Sequence, residues 1–261
     1  MTDLYLRKLA WNPEWKRQGN EYPFGLPVVR MMGELTLRSR VTLFVGENGS
    51  GKSTLLEAAA VACGFNPEGG SRNFCFDTHS THSPLYRYLK LVKGPRRPRD
   101  GFFLRAESFY NLSTELECLD QVEGAPPGLL NSYGGKSLHE QSHGESFLSL
   151  VGKRFRGNGL YILDEPEAAL SPSRQLALMA LIFDLEKRDS QFLIATHSPI
   201  LMAYPGADLF EITQDRFERV DYRDTQHYQL TRRFLNHPES VLRELLGTLE
   251  PTRDQGESGD V

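Results

Sequence analysis

The sequence predicts an α/β fold: a mixed or parallel central sheet flanked by helices, with an antiparallel β portion at the N-terminus. Three observations carry this. A glycine-rich loop, Gly46-Glu47-Asn48-Gly49-Ser50-Gly51-Lys52-Ser53-Thr54, lies between an apolar, β-prone run at 41–45 and a Leu/Ala-rich helical run at 52–62. Two more short apolar runs, 160–163 and 192–195, are separated by a strongly apolar helical stretch at 173–187. Each of these runs is followed at once by polar, chemically capable residues. Strand, helix and strand in alternation, with strands apolar throughout, is the pattern of a parallel sheet covered on both faces.

The remaining elements follow in order. Residues 4–9 and 34–37 read as short N-terminal strands ahead of the 41–45 strand. Residues 64–135 read as irregular, punctuated by glycine and proline, and include the basic run Lys93-Gly94-Pro95-Arg96-Arg97-Pro98-Arg99. That run reads either as a solvated loop or as a contact for a phosphate backbone. A buried strand is expected at 101–106. Phe147, Leu148, Leu150, Val151 and Phe155 then form one stripe of a helix at 145–155. The stretches 209–212 and 217–221 suit a closing hairpin, and 225–247 suits a helix broken near Pro238. Residues 250–261 lack apolar periodicity and are expected to be a disordered tail. The organisation expected is one domain over 1–249, with an inserted subdomain at about 64–155.

Composition narrows the class. The 261 residues are 39% hydrophobic and 25% charged, as in ordinary globular chains. A net charge of −4 gives no global attraction to nucleic acid. Cys63, Cys75 and Cys118 are odd in number and widely spaced, which argues against a disulfide framework and for a reducing compartment. No run reaches the length of a membrane span and the N-terminus has no signal pattern, so a cytoplasmic protein without membrane insertion is expected.

The motifs supply chemistry. In the glycine loop, Gly46, Gly49 and Gly51 let backbone N–H groups turn toward phosphate oxygens at a helix N-terminus. Lys52 would reach the β- and γ-phosphates, and the Ser53 hydroxyl would ligate Mg²⁺. Asp164 and Glu165 end the 160–163 strand. Asp164 would hold Mg²⁺, and Glu165 would orient or deprotonate an attacking water. His197 ends the next strand, where an imidazole can donate to a γ-phosphate. In Gln141-Ser142-His143-Gly144-Glu145, Ser142 and Gly144 open a helix and offer donors to a second anion. Other features are weaker: His79 and His82 as a metal pair, Arg72 or His139 as cleft residues.

This order of motifs resembles the ABC-type ATPases among P-loop NTPases. Ser142-His143-Gly144-Glu145 stands where that family's signature segment falls, Ala168-Ala169-Leu170-Ser171 at its D-loop and His197 at its H-loop. The strings at 45–57, 103–109, 142–147 and 164–172 are similar to small stand-alone bacterial ATPases of the AAA family. That group is related to the SMC and overcoming-lysogenisation-defect ATPases. The resemblance implies ATP and Mg²⁺ as ligands, Glu165 and His197 as catalytic residues, and an ATP-dependent homodimer. In such a dimer Ser142, His143, Gly144 and Glu145 would face the other copy's loop. It also implies an unidentified protein partner, with nucleic acid an open class. A transporter's nucleotide-binding subunit and a non-hydrolysing dimerisation module are the alternatives.

The chain departs from the family at several points. Gln141, His143 and Glu145 replace the signature's leading Leu, first Gly and final Gln. The glutamine expected after the 101–104 strand is missing, and Glu107 is the candidate for its metal-sensing place. Tyr22 and Phe24 are candidates for the adenine-stacking aromatic, or for ordinary core residues.

Overall fold

The strands of the computed structural model, which describes residues 3–71, 83–107 and 143–247, form two sheets. A three-stranded antiparallel sheet has the order β2-β1-β4, from β1 (Leu6–Trp11), β2 (Glu34–Thr36) and β4 (Leu89–Lys93). The second sheet has the order β5-β6-β7-β3-β8-β9. It is built from β3 (Val41–Gly46), β5 (Asp100–Arg105), β6 (Gly159–Asp164), β7 (Gln191–Ala195), β8 (Asp208–Ile212) and β9 (Phe217–Arg219). Its first five strands are parallel, and β9 returns antiparallel to β8 as the expected hairpin. The mixed central sheet and the N-terminal antiparallel portion are those the sequence predicts.

Side chains alternate between two cores with a period of two. On one face of the sheet lie Phe44, Phe103, Ile162 and Leu193. On the other lie Leu43, Phe102, Tyr161, Leu163 and Phe192. The first core also holds α2 (Lys52–Ala62), which packs against strands of both sheets. Leu55, Leu56, Ala58, Ala59 and Ala60 are all buried there. The small alanines let one helix fit between two sheets, and burial on several sides explains its weak amphipathicity. The second core is covered by α3 (His143–Arg154), α4 (Pro172–Lys187) and α5 (Pro199–Met202). α4 buries Gln175, Leu178, Ile182 and Leu185 along one face. Its outward Phe183 lies under the Lys187 ammonium, 4.0 Å from the ring centre. A short α1 (Pro27–Met31) sits against the glycine loop, and the chain's last described helices are α6 (Gln226–Asn236) and α7 (Pro238–Leu246). The break falls at Pro238, whose ring suits the first position of α7.

The two sheets are tied by a buried side chain. Gln191, at the start of β7, accepts from the Leu6 N–H at 2.9 Å and donates to the Leu6 carbonyl at 2.8 Å.

The irregular reading of 64–135 is corrected at residues 84–93, which form a short 3-10 helix and then β4. Leu89 and Leu91 pack inward while Lys90 and Lys93 are exposed. The span expected as an inserted subdomain thus supplies β4 to one sheet and β5 to the other. The tail at 250–261 lies outside the described residues.

Candidate functional site

The carboxyl ends of β3, β6 and β7 meet at one edge of the central sheet, and each carries one of the motifs. β3 ends in Gly46 with φ 145°, and a Cβ there would fall 2.2 Å from the Ile212 carbonyl oxygen. Gly51 has φ 94°, and its Cβ would fall 2.5 Å from Val28. Only glycine fits either position. The chain then enters α2, whose first N–H groups face the loop. Lys52, 3% exposed, folds back and donates to the carbonyls of Gly46 at 2.8 Å and Glu47 at 3.0 Å. Burial lowers its pKa, while Glu165, Asp164 and Glu167 push it back up. A buried ammonium enclosed by backbone dipoles is a ready site for a polyanion. Glu47, Asn48 and Ser50 line a cavity of about 350 Å³ that continues past Glu211 and Thr213. Gly49 has φ 81° and open space about it, and Ser53 and Thr54 are half-buried in the first turn of α2.

Asp164 is 5% exposed at the end of β6. Burial pushes its carboxyl up to about 6, against the opposing pull of the Arg105 guanidinium and the Ser53 hydroxyl. Its Oδ1 has no hydrogen-bond partner among the described residues. A buried carboxylate oxygen without a donor, next to a hydroxyl, is a donor set suited to a hard divalent cation such as Mg²⁺.

Glu165 follows in the left-handed region, φ 50° and ψ 50°. That conformation is costly for a non-glycine residue and turns its side chain away from Asp164 toward the neighbouring strand end. Its Oε1 lies 3.1 Å from Nε2 of His197. The sequence therefore names both members of a pair that the fold brings into contact.

Four residues of the site are absent from the sequence reading's roles. Glu167 accepts hydrogen bonds from the Thr196 hydroxyl at 2.8 Å and from the backbone N–H of His197. Burial raises its pKa. His227, in the first turn of α6, places Nε2 3.2 Å from Nδ1 of His197. Arg105 ends β5 and pairs with Glu57 at 3.0 Å, with its Nε 3.5 Å from Asp164. Glu107, the candidate metal sensor, is 84% exposed and lies 3.8 Å from Arg105. The group the structure sets nearest Asp164 from this strand is thus a guanidinium, not Glu107. The acidic string after Asp164 could have flagged Glu167. Nothing local flags His227, which is 30 positions from His197.

Ser142 is outside the described residues, and His143 opens α3. A Cβ on Gly144 would fall 2.6 Å from Arg174 and 2.9 Å from the Ala169 carbonyl, and Glu145 pairs with Arg174 at 3.0 Å. These residues pack on the 169–174 segment. Of the aromatic candidates, Phe24 is buried edge-on against Tyr88, and Tyr22 is 71% exposed. In the basic run, Arg96 faces Asp3 at 3.5 Å and Asp189 at 3.7 Å. Arg72, His79, His82 and His139 lie outside the described residues. No described helix is long and apolar enough to cross a membrane, and no cluster of three or more His, Cys, Asp or Glu suited to a metal occurs among the described residues.

A parallel sheet with the phosphate loop after β3, the acid pair after β6 and an antiparallel sheet over α2 is a P-loop α/β fold of the ABC-ATPase type. Residues 33–94 match a family model described as "AAA domain", and residues 140–203 match one described as "AAA domain, putative AbiEii toxin, Type IV TA system". An "Uncharacterized ABC transporter ATP-binding protein" of Haemophilus influenzae is 26% identical over 195 residues, 67% of this chain and 71% of that protein. The "Petrobactin import ATP-binding protein FpuD" of Bacillus anthracis is 23% identical over 192 residues, 69% of each chain. Among solved structures, CbiO1 from Clostridium perfringens aligns with a TM-score of 0.49 at 17% identity, covering 93% of this chain and 99% of that one.

Proposed function

We propose that this chain binds ATP with Mg²⁺ at the 46–54 loop and hydrolyses it to ADP and phosphate. The observation that carries the reading is the Glu165–His197 contact at the ends of β6 and β7, beside the buried Lys52. Lys52 and the first N–H groups of α2 hold the β- and γ-phosphates. Ser53 and Asp164 would hold Mg²⁺, which when bound neutralises phosphate charge. Glu165 orients a water and takes its proton as the water oxygen bonds to the γ-phosphorus and the bond to the bridging oxygen breaks. His197 donates to a γ-phosphate oxygen.

A cytoplasmic, ATP-dependent homodimer completes the reading, with Ser142, His143, Gly144 and Glu145 of one copy meeting the loop of the other. It is supported by the packing of Gly144 and Glu145 on the 169–174 segment. Charge from two surfaces suits a buried triphosphate better than charge from one. The dimer acts as a stand-alone switch on a protein partner, with nucleic acid an open class. A second reading, the nucleotide-binding subunit of a transporter, is favoured by the names of the two relatives. Binding of a fluorescent ATP analogue tests the site: Lys52→Ala should weaken it at least about tenfold, since a buried charge-assisted contact is lost. Unchanged affinity in that variant would remove the assignment.

A further inference from the structure

We propose that His227 is a positioning residue that fixes His197 in the tautomer carrying its proton on Nε2. The proposal rests on the reading of His197 as the γ-phosphate contact, and the tautomer can be read without any turnover.

Nε2 of His197 lies 3.1 Å from a Glu165 oxygen. A carboxylate oxygen accepts from an N–H, so this contact suits a proton on Nε2. A neutral imidazole has one N–H, which leaves Nδ1 of His197 an acceptor. Nε2 of His227 is 3.2 Å from that nitrogen, and it must therefore be the donor. Burial first, and then the Lys52 charge, lowers the pKa of both rings, which favours neutral imidazoles at and above neutral pH.

His227 is held in place for this task. It lies in the first turn of α6, a helix with no buried residue of its own. That turn is nonetheless fixed at two points. Glu211 of β8 accepts from the Gln226 N–H at 2.9 Å. Thr225, fully buried, caps the helix by accepting from the Tyr228 N–H and donates to the Tyr222 carbonyl at 2.7 Å. The anchored end of α6 is thus the end bearing the imidazole. The charged groups facing this pair are Lys52, Glu165, Glu211 and Glu47. With Nε2–H set in advance, His197 can exchange its acceptor, from Glu165 to a phosphate oxygen, without moving a proton. The exchange also frees Glu165 to receive the proton of the attacking water.

The experiment uses the full chain with isotope-labelled histidine and two-bond proton–nitrogen correlation at about pH 8, where free imidazole is neutral. His197 signals are identified by their loss in His197→Gln. The expected wild-type pattern is Nε2–H. Glu165 also favours this tautomer, so His227 is tested with that acceptor removed. In Glu165→Ala the Nε2–H pattern should persist, and Glu165→Ala with His227→Phe should show a mixture of tautomers. Glu165→Ala with His227→Gln, whose amide can donate, should restore the single pattern. Mg-ATP turnover should fall about tenfold or more in the single variant His227→Phe with KM for ATP unchanged, and recover in His227→Gln. An Nδ1–H or mixed pattern in wild type, or the same pattern with and without His227→Phe in the Glu165→Ala protein, would overturn the proposal. A wild type that turns over no ATP yet shows the Nε2–H pattern and its loss would remove the functional reading and leave the role of His227 in place.

Discussion

The Glu167 carboxylate accepts from both the Thr196 hydroxyl and the His197 backbone N–H, so the turn after β6 holds the loop after β7. The geometry of the histidine is therefore set from the neighbouring strand end, not only from its own.

Removing that anchor should be felt in stability and in turnover. Glu167→Ala leaves a buried N–H and a hydroxyl without an acceptor, a cost of roughly 1–3 kcal/mol. Glu167→Gln keeps one acceptor oxygen and should lose less. Urea unfolding of the two variants, alongside ATP affinity and turnover, checks this. The expected result is a larger loss of stability and turnover in the alanine variant, with ATP affinity nearly unchanged.

Asp164 makes a pH-dependent prediction. Burial holds its carboxyl at about 6, against about 3.9 in an unfolded chain. The folded protein therefore keeps a proton that the unfolded chain releases in this window. The contribution of Asp164 to stability is full below about pH 4 and is lost as pH rises through 6. Asp164→Asn has no charge to bury, so its advantage over wild type should be small near pH 4 and on the order of 3 kcal/mol near pH 7.5. The same variant should lose Mg-ATP turnover, a trade of stability against function. Paired denaturation curves across this range provide the check.

Dimerisation is tested by mass. Glu165→Gln protein, expected to hold ATP without consuming it, should double its mass in light scattering on addition of Mg-ATP. The effect should vanish when Ser142→Arg is added, because the bulky cation would block the opposing loop. A mass that stays monomeric with ATP bound would count against the composite site.

The parallel sheet was legible because each short apolar run is bounded by residues that cannot continue it: Gly46, Asp164 and Thr196. Which core each strand residue joins was not legible. Leu43 and Phe44 are equally apolar yet face opposite sides, since both faces of the sheet are covered. β4 escaped because its five residues are few, two of them are lysines, and it runs straight into the basic loop at Lys93. The loop lysine, the acid pair and His197 follow from local motifs. Glu57 with Arg105, 48 positions apart, and His197 with His227, 30 apart, exist only once the sheet order is set. No residue pattern along the chain encodes those distances.

The measurement that bears most directly on the central claim is single-turnover hydrolysis of Mg-ATP by wild type and Glu165→Gln, with bound nucleotide measured in the same samples. The account predicts ATP bound by both, and hydrolysis slowed at least about a hundredfold in Glu165→Gln, as for loss of a general base. Equal hydrolysis rates in the two proteins would contradict the assignment of Glu165 and, with it, the reading of its contact with His197 as the catalytic pair.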